Sequence, residues 1–375
     1  MRGTGWELPT PPLPRLEGRI EANVCVIGLG GSGLSALARL QKNRVRNLVG
    51  IDAVGVAAGA AGRNGGFLLA GPAHFHHRAV QTWGRAAAVE LYRLTEARIE
   101  EMARRWPDLV DLRGSVRLPG SAAEADDIAA HHQALLDDGF TALPYAGPRG
   151  ERGLLVPGDG VFHPAERCLQ LADRVWDKGA WLYGGDPVEV IDGTTVRTAH
   201  GEVSAGVVLV CVDGNLQRLL PELDGRVQTV RLQMLATEPV AFGTAQHAMY
   251  HRSGLDYWQQ RPDGRLFVGG CRDRGDGEEG DPVQEPTDRV QNALDTLLTD
   301  VVGVRARVTH RWAGLVGYTP DHLPIVEEVR PGVWAAGGYS GTGNVIGALA
   351  GEALADAVSG RPRHPLLDAL GAVAG

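Results

Sequence analysis

Apolar runs of strand length and segments of helical periodicity alternate at the start of the chain. Val24-Cys25-Val26-Ile27 is one continuous apolar run, and Leu48-Val49-Gly50-Ile51 is a second. Between them Leu34, Leu37, Ala38 and Leu40 recur at three- and four-residue spacing, which predicts a helix over 32–42 and hence a βαβ unit. Further on, Ala88, Leu91, Thr95, Ile99, Met102 and Trp106 form one stripe that predicts a long helix over 85–106, closed by Pro107. Helices are also predicted over 122–138 and from 164 to about 178. Short β-like runs then follow at 181–183, 188–191, 194–198 and the buried-looking 207–212. The runs 227–237 and 266–270 read as strands too, joined by the hairpin-like Pro262-Asp263-Gly264. Near the end, 333–336 is a short apolar strand and 344–359 a small-residue helix, with Gly360 as its C-cap. There is no internal repeat.

The joint between the first strand and the first helix carries the most specific signal. Gly28, Gly30 and Gly33 form G-x-G-x-x-G there, and Asp52 ends the next apolar run. In such a loop the first glycine permits the tight turn and the second lets backbone approach a pyrophosphate. The third brings helix against strand, and the later acid accepts ribose hydroxyls. The alternative is a glycine-rich turn of an α/β protein that binds nothing.

With 375 residues and 43% hydrophobic content, the chain can bury a large core and is expected to form two domains. A net charge of −8 argues against nucleic acid or an anionic membrane as partner. The four cysteines, Cys25, Cys168, Cys211 and Cys271, are widely spaced without C-x-x-C, so neither a disulfide framework nor a zinc site is expected, and a reducing cytoplasm is. No apolar run has the length of a membrane span, and no apolar core precedes Pro9 to make a secretory signal. The acidic stretch 273–281 lacks the ligand spacing of an EF-hand and reads as a solvated loop. Residues 9–14 are proline-rich and read as an extended arm.

Four blocks occur in order: the glycine fingerprint with Asp52; Gly62-Arg63-Asn64-Gly65-Gly66; Gly160-Val161-Phe162-His163-Pro164 through Gly179, Val188 and Gly201 to 207–212; and Trp312-Ala313-Gly314 with Thr319-Pro320-Asp321, followed by Gly337-Gly338-Tyr339-Ser340-Gly341-Thr342-Gly343. Together they resemble the FAD-dependent D-amino-acid oxidase (DAO) family over roughly residues 20 to 360. That resemblance implies an α/β fold: a Rossmann-like FAD-binding domain with a discontinuous, mostly antiparallel-sheet α+β substrate domain. It assigns 20–75, 152–215 and 308–375 to the first, 76–151 and 216–307 to the second, and 1–19 to an N-terminal arm. It further implies that Gly28, Gly30, Gly31, Ser32 and Gly33 line the pyrophosphate and that Asp52 holds the adenosine ribose. Arg63, Asn64, Gly65 and Gly66 would lie along the flavin, and Val188 would pair its backbone with adenine. Gly338, Gly341, Thr342, Gly343 and Asn344 would face the pyrimidine edge of the isoalloxazine. A helix N-terminus there stabilises the negative charge that arrives when N5 accepts hydride. Many relatives carry serine where Ala61 stands, so one polar contact near the flavin is missing.

Relatives that oxidise α-amino acids place an arginine after the Gly-Leu that precedes Thr-x-Asp, where it clamps the substrate carboxylate. This chain reads Gly314-Leu315-Val316-Gly317. A carboxylate buried beside valine without a cation would cost several kcal/mol. The departure favours an amine, a polyamine derivative, or a substrate whose carboxylate lies elsewhere, with oxygen or another electron acceptor. Arg252 and Arg272 offer an alternative anchor, or serve as ordinary structural arginines. Tyr250, Tyr257, Trp258, Tyr318 and Tyr339 suit either a pocket wall or core packing, and strand alternation favours Tyr257 over Trp258. Tyr257, Tyr339 and Arg272 are the candidate substrate-site residues. His74, His76 and His77 read as structural or as approaching the flavin, and no metal site is expected. Lys42 and Lys178, the only lysines, fall outside the flavin-facing motifs, so the oxygen-activating lysine of sarcosine oxidases has no counterpart and oxidase and dehydrogenase both stay open. Other readings are an α-amino-acid oxidase or dehydrogenase with a relocated arginine, and a non-catalytic FAD subunit of a larger dehydrogenase. A nicotinamide-dependent dehydrogenase would leave the Arg-Asn-Gly-Gly loop and the second glycine loop unexplained.

Overall fold

The structure, a computed structural model, describes residues 3–6, 8 and 11–374. Of the proline-rich arm, residues 9 and 10 lie outside the described residues, and 11–17 run without helix or strand. The chain divides into two compact units, one of residues 8–62, 164–229 and 316–375, the other of 1–7, 63–163 and 230–315.

The first unit is built on an eight-stranded sheet. Its parallel centre runs Trp181–Tyr183, Leu48–Ile51, Gly18–Ile27, Gly201–Val210 and Val333–Gly337. Gly18–Ile27 is β1, Gly31–Lys42 is α1 and Leu48–Ile51 is β2. The register Val24↔Val207 and Val24↔Leu48 aligns three buried strands, whose near-continuous apolar runs fit a sheet covered on both faces. Val188–Asp192, Thr195–Thr198 and Ile325–Arg330 extend the sheet antiparallel. Ile346–Val358 packs on α1 so closely that a Cβ on Gly351 would collide with the Ser32 carbonyl, which is why the helix is rich in small residues.

The second unit holds a mostly antiparallel sheet in the order Val308–Tyr318, Gln228–Pro239, Arg265–Gly270, Asp256–Gln260, Ala248–His251, Ser115–Leu118, Arg152–Val156, Leu143–Ala146. Pro262-Asp263-Gly264 joins Asp256–Gln260 to Arg265–Gly270 rather than following the strand Gln228–Pro239, which pairs with Arg265–Gly270 from its other side. The predicted pattern named neither Ala248–His251 nor Ser115–Leu118, short strands that lack clean alternation, while Asp256–Gln260 is the strand on which Tyr257 and Trp258 point to opposite faces. Phe67–Leu68, Gly160–Phe162 and Val110–Asp111 form a separate small sheet. The long helix Arg85–Arg105 buries Ala88, Leu91, Thr95, Ile99 and Met102 on its predicted stripe.

Candidate functional site

In the first unit the ends of β1, Gly201–Val210 and Val333–Gly337 share one edge, the carboxyl edge where open parallel sheets take ligands. Gly28 leaves β1 with φ +100° and donates to the Ile51 carbonyl (2.7 Å). Gly33 lies so close to this turn that a Cβ on it would collide with the Gly28 carbonyl oxygen. Gly30 precedes α1 with no side chain capping it and no acid in the first turn, so the first-turn N–H groups meet no carboxylate of their own helix. Gly28, Ser32 and Gly33 are buried, and Gly30 and Gly31 are the partly open part of the loop. That cradle, closed by backbone and open at a helix N-terminus, fits a pyrophosphate. Behind it lies a residue the sequence pattern did not suggest. The buried Arg167 places Nη1 3.3 Å from where a Cβ on Gly31 would sit, and its Nη2 donates to Ser35 Oγ (3.3 Å).

Asp52 accepts from Leu29 N (2.9 Å) through Oδ2 and from Val54 N and Gly55 N (2.9 and 3.0 Å) through Oδ1. Of about four lone-pair positions on a carboxylate, these use three. Val188 opens the strand Val188–Asp192, half-buried and paired with Thr198.

The second glycine loop is stitched by its own backbone. Gly338, Ser340 and Gly341 have φ of +65°, +50° and +92°. Ser340 N donates to the Gly317 carbonyl (2.8 Å), and Thr342 donates from N (2.9 Å) and Oγ1 (2.7 Å) to the Tyr339 carbonyl. Gly343 and Asn344 follow in the turn, and the helix begins at Ile346, with neither a side-chain cap nor an acid in its first turn. Asp213, absent from the sequence reading, sits at the same edge. Its carboxylate accepts from Gly317 N and Tyr339 N (3.1 Å each) while its backbone has φ +52°. Burial pushes the Asp213 carboxyl up to about 6, against the pull of those backbone donors. A positive φ and a raised carboxyl in one residue mark a constrained position.

Tyr339 is buried under this loop, its ring against Gly343 and Gly347, and burial drives its phenol well above the ordinary range. Tyr318 is half-buried, its hydroxyl 3.7 Å from where a Cβ on Gly341 would sit. Val316 is half-buried in the segment between Trp312 and Thr319. Lys42 ends α1, about 17 Å of helix from the glycine cradle.

In the second unit, the loop Arg63–Gly66 has each of its four carbonyls held from outside the loop. Trp312 Nε1 donates to Arg63 O (2.8 Å) and Trp6 Nε1 to Asn64 O (2.9 Å). Gln259 Nε2 donates to Gly65 O and Gly66 O, the latter also bonded by Phe162 N (2.9 Å). Asn64 Oδ1 accepts from Gly66 N (2.8 Å). Gly66, at φ +71°, is packed against Phe162 O, Trp6 and Gln259 with no space for a Cβ. Tyr257 lies against Gly65 and Gly269 and meets Phe67 edge-on (5.6 Å), with Tyr250 alongside (6.0 Å). Trp258 points the other way into a buried cluster with Met249 and Leu294. Gln259 shares the Tyr257 face by strand alternation, a signal available in the sequence.

Two arginines of this unit, Arg63 and Arg252, are engaged. Arg63 donates to the Ala313 carbonyl (3.1 Å) and meets the Gln284 amide. Arg252 binds Asp256 through Nε and Nη2 (2.6 and 2.8 Å) and Asp273 through Nη1 (2.7 Å). Burial alone would raise the Asp256 carboxyl, but the bonds from Arg252 and His251 hold it well below the usual range. Arg272 is half-buried in the short turn Arg272–Arg274, after Cys271. His76 and His77 pair with Asp138 (2.7 Å) and Asp127 (3.0 Å), tying two helices together. Among the described residues no group of three or more His, Cys, Asp or Glu is placed to hold a metal. No helix there is long and apolar enough to cross a membrane.

The DAO family model, described as FAD dependent oxidoreductase, matches residues 23–357. The chain is 26% identical over 383 residues to a probable oxidoreductase, OrdL, of Rhizobium meliloti (strain 1021), covering 94% of this chain and 86% of that one. It is 25% identical over 379 residues to the gamma-glutamylputrescine oxidoreductase of Escherichia coli (strain K12), covering 93% and 86%. The solved glycine oxidase of Geobacillus kaustophilus has a similar fold, with a TM-score of 0.74, 19% identity, and coverage of 91% of this chain and 95% of that one.

Proposed function

The chain belongs to the DAO family of FAD-dependent oxidoreductases, and from that premise we propose that it oxidises a carbon–nitrogen single bond of an amine to the imine. When bound, FAD supplies the two-electron acceptor for this oxidation. The chain's own residues hold and orient. The Gly28–Gly33 cradle takes the pyrophosphate and Asp52 a ribose hydroxyl, and Val188 offers its backbone to adenine. Arg63–Gly66 lie along the flavin, and the loop from Gly338 to Asn344 turns a helix N-terminus toward its pyrimidine edge. Phe67, Tyr250 and Tyr257 form an apolar wall that keeps water from the reacting carbon. The substrate reacts as the neutral amine: its nitrogen lone pair forms the C=N bond as hydride leaves carbon, and water then hydrolyses the imine. No protein base is required for that step.

One observation carries the preference for an amine. Val316 stands where relatives acting on α-amino acids place their arginine, while Arg252 and Arg63 are committed to other partners. The gamma-glutamylputrescine oxidoreductase, a relative whose named substrate contains the amine putrescine, supports this preference.

The test is dye-linked turnover by the purified yellow protein with primary and secondary amines against α-amino acids, repeated with oxygen as acceptor. Turnover confined to amines, with the matching aldehyde or ketone as product, is expected. A protein that cannot be reconstituted with FAD, or that turns over α-amino acids alone, would falsify the proposal.

A further inference from the structure

The N-terminal segment lies outside the matched span of 23–357, yet it is built into the second unit. Trp6 is 2% exposed. Its ring packs on Phe267 (4.4 Å between centroids) and His163 (4.8 Å), with the Arg261 guanidinium 5.2 Å over its face. Arg265 Nη1 holds the Gly5 carbonyl (3.0 Å), and Gly5 fits against Ala236 and Phe267 with no space for a side chain. Trp6 Nε1 donates to Asn64 O, the second of four consecutive carbonyls otherwise held by Trp312, Gln259 and Phe162. The far edge of the indole also fills the space behind Gly66.

We propose that Trp6 is a positioning residue for the cofactor: an N-terminal plug whose indole N–H fixes the Asn64 peptide and thereby sets the face that Asn64–Gly66 present to the flavin. This rests on the reading that the Arg63–Gly66 loop lies along the flavin. The physical reason is orientation. A peptide whose carbonyl is tied inward keeps its plane, and with it the direction of the neighbouring N–H groups. Packing alone would keep Trp6 buried but would not need its N–H.

Two replacements separate the two roles. Trp6→Phe removes the N–H and part of the ring. Benzothienylalanine at position 6 keeps the bicyclic shape and replaces N–H by sulfur, so folding is retained even where the phenylalanine variant fails. In the full-length holoprotein, both are expected to shift the visible flavin absorption and the midpoint potential. Both should also weaken rebinding of FAD to apoprotein by about two- to tenfold, the scale of one hydrogen bond. Gln259→Leu, which frees the Gly65 carbonyl and leaves Gly66 O to Phe162 N alone, is the companion measurement. If it perturbs the flavin while the benzothienylalanine protein matches the parent in spectrum, potential and FAD affinity, Trp6 is packing only and the inference falls. If neither change moves the flavin, the loop does not lie along it, and both the inference and its premise fall.

Discussion

Asp213 is one carboxylate joining the starts of two loops, and it is held in a left-handed backbone conformation. Its folded-state pKa, about 6, lies above the ordinary value of ~4, so between those values the folded protein keeps a proton that the unfolded chain has lost. Stability from this residue is therefore complete below ~4 and declines as pH rises through about 6. An asparagine cannot titrate. The melting temperature of the parent relative to Asp213→Asn should fall between pH 4.5 and 7.5 and level off above, and parallel profiles would remove the raised carboxyl from the account. Nothing in the sequence marks Asp213, because its partners, Gly317 and Tyr339, lie more than a hundred residues away. Arg167 and Trp6 were hidden for the same reason. Gly28, Gly30, Gly33 and Asp52 were legible because their spacing follows from local backbone geometry.

At the scale of elements, α1 and β2 were readable almost to the residue, since strand and helix periods change sharply at Gly28 and Gly31. The start of β1 at Gly18, six residues before the apolar run 24–27 that marks it, was not, because most of those first residues are exposed. The substrate sheet was less readable. Ser115–Leu118 and Ala248–His251 are four-residue strands, and they belong to the sheet through distant partners, each other and Arg152–Val156 and Asp256–Gln260 on their far sides. The close approach of α1 to β1 yields a sharp expectation. Alanine for glycine within a helix ordinarily stabilises by about 1 kcal/mol. Gly33→Ala should do the opposite, because its Cβ meets the Gly28 carbonyl oxygen and must force helix and turn apart. Isolated protein should carry little flavin and melt lower than the parent. A variant that keeps full flavin content and melts higher would mean the turn is looser than it stands here.

At the scale of the whole molecule, the family fold is shared with proteins of quite different named substrates, so selectivity has to come from particular side chains rather than from architecture. On the proposed reading, the side chain that matters most is Val316. Removing a cation from beside a buried carboxylate is costly, whereas an amine that lacks the carboxylate loses nothing by its absence. The most direct measurement is anaerobic rapid mixing of the holoprotein with a matched pair, a primary amine and the α-amino acid that differs from it only by the α-carboxylate, while the oxidised flavin absorbance is followed. The account predicts rapid bleaching by the amine and bleaching at least a hundredfold slower by its carboxylated twin, about 2.7 kcal/mol in the barrier. Equal rates, or faster bleaching by the amino acid, would contradict it and direct attention to Arg272 as the carboxylate anchor.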